Sequence, residues 1–146
     1  MKQYLFVLGR TPKLAYVELE AIASSVSSLR SDILLASSEL EPVQLMQMLG
    51  GTVKVCEVAF TGSTPTLTDI HTILLEEVKN NVLVFGISTY AVHSPFTTKM
   101  LFTLKEELVE QGVRTRFIES KHDSPLSSVV IAKQKVTELI VVQTSD

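Results

Sequence analysis

Apolar residues fall along this chain in short alternating runs and helix-spaced stripes, in two successive blocks. Tyr4 to Leu8 is a compact β-type run, and Gly9-Arg10-Thr11-Pro12 turns it into a helix. The Thr11 hydroxyl can accept from a free helix N–H, and Pro12 suits the first helical position, where its missing donor costs nothing. Leu14, Val17, Ala21 and Ile22 then recur at helical spacing. The Ser-rich stretch Ser24 to Ser28 reads as the break that ends this helix. Asp32 to Ser38 reads as a second strand, with Ile33, Leu34 and Leu35 as its apolar content. Pro42 opens a short helix through Leu49, and Gly50-Gly51 offers the glycine that commonly closes a helix. Thr52 to Phe60 alternates as a third strand.

Thr61-Gly62-Ser63-Thr64-Pro65 gathers the main turn-forming residues and reads as a linker. Beyond it, Leu67 to Val78 is helical, with Ile70, Ile73, Leu74 and Glu77 around the wheel. Asn80-Asn81 leads into Val82 to Ser88, a nearly continuous apolar run that predicts a central strand covered on both faces. Thr97 or Thr98 caps a helix containing Leu101, Leu104 and Leu108, which Gly112 ends. Val113 to Ile118 alternates as a strand with Arg114 and Arg116 outward. Ser127 opens the next helix, and Glu138 to Val142 forms the last strand. These periods predict an α/β (α+β) fold. Residues 1–62 supply strand, helix, strand, helix, strand, which is most of a ferredoxin-like unit. Residues 63–146 form a second α/β subdomain.

The composition is that of a folded chain: 45% hydrophobic, 20% charged, with 6 Gly and 5 Pro among 146 residues, enough to build a core. The single cysteine, Cys56, excludes an internal disulfide and sits in an alternating run as a small hydrophobe. The first residues lack a signal-peptide cleavage pattern, and no segment reaches membrane length, so a cytoplasmic location is expected.

The formal charge of −3 does not advertise a nucleic-acid partner, but it is uneven. Residues 1–96 hold six Lys/Arg against nine Asp/Glu. Residues 111–137 hold Arg114, Arg116, Lys121, Lys133 and Lys135 against Glu119 and Asp123, a local +3. Five cations on a strand, its following loop and the next helix can converge on RNA phosphates, contacts that position RNA without reading its sequence. The same cations also fit a solvated face paired with Glu119 and Glu138. Ser127 and Ser128 offer hydroxyls and N–H groups at a helix start, which suit either an anion or a plain cap. His71, His93 and His122 are far apart, with no Cys or His at metal-ligand spacing, so no metal is expected. His122 reads as a loop residue beside the basic stretch. Glu76-Glu77 and Glu106-Glu107 are helix neighbours whose carboxylates diverge by about 100°. No nucleophile elbow, phosphate-cradling loop or dinucleotide fingerprint occurs.

Tyr4 to Leu14 with Glu18-Leu19-Glu20-Ala21 resembles the N-terminus of THUMP-containing tRNA guanine-N2 methyltransferases. Leu49 to Lys54 resembles their next segment. Phe85-Gly86-Ile87-Ser88, Leu104-Lys105 with Glu107-Leu108 and Gly112, and Leu126 to Lys135 resemble their THUMP domain. The resemblance spans the chain in patches. It implies a ferredoxin-like domain followed by a THUMP domain that together grip the tRNA acceptor end and its 3′ tail. On that resemblance Arg114, Arg116, Lys121, Lys133 and Lys135 become RNA contacts. Ser127 and Ser128 become holders of a terminal phosphate or ribose, and Lys99 and Lys105 weaker contacts on the preceding helix. The family's S-adenosylmethionine-binding fold and its Asn/Asp-Pro-Pro-Tyr motif are missing from these residues. The chain is therefore expected to bind tRNA or another structured RNA without itself being an enzyme, beside a methyltransferase domain or subunit that holds the cofactor. The family's usual glycine before the last strand is also missing. Aromatic residues near the basic stretch are few, Phe117 being the main one, which gives little support to base stacking. The alternative expectation is a protein-interaction or oligomerisation domain with no RNA affinity.

Overall fold

A computed structural model describes residues 1–90, 94–120 and 124–144. The chain divides into two compact units, Met1–Thr61 and Gly62–Asp146, and each mixes helices with a sheet, an α/β (α+β) architecture.

The first unit runs β1 (Lys2–Leu8), α1 (Pro12–Ile22), β2 (Ser24–Arg30), β3 (Ile33–Ser38), α2 (Pro42–Met48), β4 (Thr52–Glu57). Its sheet has the order β2-β3-β1-β4, with every neighbouring pair antiparallel. Each helix therefore joins two parallel strands that have a third strand between them, giving two interleaved split β-α-β units. Tyr4, Phe6 and Leu8 alternate inward from β1, meet Leu34 and Ala36 of β3, and are covered by Ala15, Leu19 and Leu45 from the helices. The Tyr4 and Phe6 rings sit edge to face at 6.4 Å. The Tyr4 hydroxyl donates to the Leu40 carbonyl at 3.1 Å, and burial is the main cause that raises its pKa.

Three local expectations are corrected. Ser24–Arg30 is a strand, not a break. It is an edge strand paired only with β3, and Val26 is the residue it packs toward the core, so pairing rather than apolar content makes it extended. Its register shifts between Ser24 and Ser27 and between Ser28 and Arg30, and Ser25 takes φ 55°. Secondly, Thr11 precedes α1 without a side-chain cap bond. Thirdly, Gly50 and Gly51 do not close α2 in a left-handed turn; Leu49 leaves the helix extended, and neither glycine has positive φ. Their N–H groups donate instead to the Glu18 carboxylate of α1, at 3.2 and 3.0 Å. Gly51 is glycine because a Cβ there would lie 2.8 Å from that of Ala15.

The second unit runs α3 (Leu67–Glu76), β5 (Val82–Tyr90), α4 (Thr98–Glu110), β6 (Arg114–Phe117), α5 (Ser128–Gln134), β7 (Thr137–Val142). Its sheet has the order β6-β5-β7, parallel throughout. Thr66 starts α3 with a reciprocal cap: its hydroxyl accepts from the Asp69 N–H, and its own N–H donates to the Asp69 carboxylate at 2.7 Å. The N–H bond, with a second from the Thr66 hydroxyl to the same carboxylate at 2.9 Å, holds the Asp69 carboxyl below its ordinary pKa. Thr97 caps α4 through the Met100 N–H. Asn80 and Asn81, at φ 54° and 58°, turn the chain into β5, with Lys79 and Val82 exchanging backbone bonds. Two left-handed central residues define a primed turn, a conformation asparagine tolerates.

Candidate nucleic-acid interface

Side chains alternate across a strand, and residues paired in a parallel ladder share a face. Leu83, Phe85 and Ile87 of β5 enter the core with Ile70 and Leu74 of α3 and Leu101, Leu104 and Leu108 of α4. Phe117, Leu139 and Val141 pack against the same core. Val82, Val84, Gly86 and Ser88 therefore take the other face. There the register sets Arg114 beside Val82, Arg116 beside Val84, and Glu138 beside Gly86. Both arginines are exposed.

Ile118 and Leu126, both between β6 and α5, lie against this second face. A Cβ on Gly86 would fall 2.4 Å from Leu126 Cδ1 and 3.0 Å from the Ile118 carbonyl oxygen. The Leu126 N–H donates to the Ser88 hydroxyl at 2.9 Å, and that hydroxyl donates to the Glu138 carboxylate. Ser88 is fully buried, so both hydrogen bonds are needed to satisfy it. This relay ties the residue just before α5 to the middle of the sheet.

Ser127 is the N-cap of α5, its hydroxyl accepting from the Val130 N–H at 3.2 Å; Ser128 is the first helical residue, and both are exposed. Lys133 stands exposed in the last turn. Lys135 closes α5 in the left-handed region, φ 51° and ψ 51°, with the N–H groups of Lys135 and Val136 both donating to the Ile131 carbonyl. An L side chain costs about 1–2 kcal/mol in this conformation, and glycine usually holds it.

Arg114 and Arg116 thus share a sheet face with the connection into α5, which carries Ser127, Ser128, Lys133 and Lys135. Lys99 and Lys105 belong elsewhere. They lie on α4, which packs on the opposite face. Lys105 there lines a shallow hollow of about 330 Å³ with Phe102, Glu106, Val109 and Glu110. Phe102 is exposed and meets Phe117 edge-on at 6.1 Å, so the one aromatic noted near the basic stretch is turned inward toward α4. Lys121, His93 and His122 lie outside the described residues.

Among the described residues, the ion pairs join Lys2 to Glu41 and Glu57, and Arg30 to Asp32. None uses Arg114, Arg116, Lys133 or Lys135. Glu138, a sequence candidate for neutralising them, is engaged by Ser88. No group of three metal-ligating side chains occurs among the described residues, and no helix there is long and apolar enough to cross a membrane. The residues that sequence reading missed are Gly86, Ser88 and Leu126. Their signal was a glycine inside an apolar strand run, which marks a close approach by something else.

No protein-family model matches the chain, and no curated protein is significantly similar to it.

Proposed function

We propose that the second unit binds structured RNA, the acceptor end of tRNA in the first instance, through the sheet face of Arg114 and Arg116 and the adjoining α5. The observation that carries this reading is a set of four exposed cations, Arg114, Arg116, Lys133 and Lys135, with no carboxylate in ion-pair range among the described residues. Water hydrates these cations in the free protein, and with no internal carboxylate to displace they are open to phosphate oxygens from outside. The β-α-β-β-α-β order of the first unit supports a ferredoxin-like reading, and the sequence resemblance supports a THUMP-type module. In this reading the chain positions RNA and catalyses nothing itself. A methyltransferase domain or subunit supplies S-adenosylmethionine and the chemistry, and the setting is the cytoplasm.

The test is a salt titration of binding to deacylated tRNA, with and without its 3′ tail. Lys133→Glu with Lys135→Glu should weaken binding and lower the salt slope by about 2, one per lost phosphate contact. Lys135→Gly separates binding from folding. It should stabilise the unit by about 1 kcal/mol in urea unfolding while weakening RNA binding. Unchanged affinity in both variants would reject this surface.

A further inference from the structure

Among the described residues, four strands have one unpaired edge: β2 and β4 in the first sheet, β6 and β7 in the second. An open edge offers free N–H and C=O groups to any other strand, and soluble proteins blunt it with cations, bulges, polar residues or shortness. Three of the four are protected in this way. The β2 edge is bulged twice and holds four serines. Strand β4 carries Lys54 at mid-strand, and β6 has only four residues, two of them arginine. The remaining edge, β7, is Thr-Glu-Leu-Ile-Val-Val, in unbroken register with β5 over all six residues, with no cation, proline or bulge. Its one charge, Glu138, points to the sheet face where Ser88 engages it.

The ladder fixes which groups look outward. The Gln143 N–H donates to the Tyr90 carbonyl, so by alternation the odd residues of β7 direct their backbone at β5. Glu138, Ile140 and Val142 direct theirs away. We infer that this edge pairs with the same edge of a second copy of the chain, antiparallel about a two-fold axis through Ile140. In that register Ile140 meets its own counterpart, Glu138 meets that of Val142, and Leu139 meets that of Val141. Each of the outward residues exchanges two hydrogen bonds across the junction. Like charges never face one another, and β-branched side chains meet across the strands, the pairing that favours association. The same operation through Thr115 on β6 would set Arg114 against the counterpart of Arg116. The product is one continuous sheet, three strands from each copy. Its axis is normal to the sheet, so both pairs of arginines emerge on one side. The inference stands independently of RNA binding.

Sedimentation equilibrium over a concentration series tests it, with Ile140→Lys and Ile140→Glu as variants. Ile140 is half-buried, so a long side chain can carry its charge outward. The parent should reach dimer mass, and each variant should remain monomeric with the parent's circular dichroism. An equal mixture of the two variants should recover the dimer, because only residues on the axis put lysine opposite glutamate. Val142→Glu, which sets a carboxylate opposite Glu138 of the second copy, serves if Ile140 proves intolerant, and should weaken the dimer. A parent that stays monomeric, variants that still dimerise, or a mixture that stays monomeric would each overturn the inference. Titration of the same samples with tRNA reads the RNA proposal separately.

Discussion

Both units solve the same problem, anchoring a carboxylate against backbone next to a glycine, and they solve it differently. In the first, Glu18 of α1 takes the N–H groups of Gly50 and Gly51 directly. In the second, Glu138 of β7 is joined to the Leu126 N–H through the Ser88 hydroxyl. The direct bond ties a helix to the end of its neighbour inside an all-antiparallel fold. The relayed bond ties a sheet to a crossing loop, and the crossing loop leads to the proposed RNA residues. A carboxylate acting through a buried hydroxyl depends on a third residue, so the second anchor has more ways to fail.

The largest expected effects come from the glycines. Gly86→Ala should cost about 3 kcal/mol, near the upper end for overpacking, because its Cβ meets Leu126 and the Ile118 backbone together. Gly51→Ala should cost about as much, since its Cβ would meet the Ala15 methyl at 2.8 Å and the Ala15 Cα at 3.1 Å, both fixed to the helix backbone. Hydrogen exchange resolved by unit checks both, with loss of protection confined to the unit that carries the change. Adding Leu126→Ala to Gly86→Ala should give a double variant more stable than the sum of the singles predicts. Equal losses in both units from either change would erase the contrast.

Next come the anchors. Ser88→Ala removes the hydroxyl that accepts from the Leu126 N–H and donates to the Glu138 carboxylate, and should cost about 2 kcal/mol. Glu18→Gln retains an acceptor oxygen at a half-exposed site and should cost about 1 kcal/mol. Urea unfolding measures both, and the reverse order would show the relay to be the weaker link. If the proposed surface is right, Ser88→Ala also lowers tRNA affinity, and Glu18→Gln does not.

The smallest effect is on pH. The Asp69 carboxyl is held below its ordinary value of 3.8 by the Thr66 N–H and hydroxyl. Because the folded value is the lower one, its stabilising share is complete above pH 3.8 and drains away as pH falls through the folded value. Acid unfolding of the second unit should therefore lose part of its pH dependence in Asp69→Asn. The first unit should titrate unchanged.

Much of this was legible in the order of residues. The run Val82 to Ser88 is the central strand β5, and Thr97, one of two offered caps, is the one used. Arg114 and Arg116 point outward as alternation requires. The parts that escaped are those where tertiary pairing overrides composition. Four serines form an edge strand because β3 supplies the hydrogen bonds their side chains do not suggest. Gly50-Gly51 imitates a helix terminator yet serves Glu18, a partner on another helix. The separation of Lys99 and Lys105 from the other cations follows from which face α4 covers, a fact no single segment contains.

The two sheets also differ in how far apart along the chain their neighbours lie. Strands β2 and β3 are joined by the two residues Ser31 and Asp32, a closure that hairpins complete in about 1–10 μs. No strand of the second sheet has so near a partner: β5 must wait for β6 beyond α4, and for β7 beyond α5. Parallel pairings of that reach are slow, since loop entropy is lost before any contact repays it. As the chain emerges from the ribosome, the first unit can seed itself from a local hairpin. The second must hold Val82 to Tyr90 unpaired until Arg114 to Phe117 has been made, and one side of it open until Thr137 to Val142 follows, and that is the interval in which it is most exposed to aggregation.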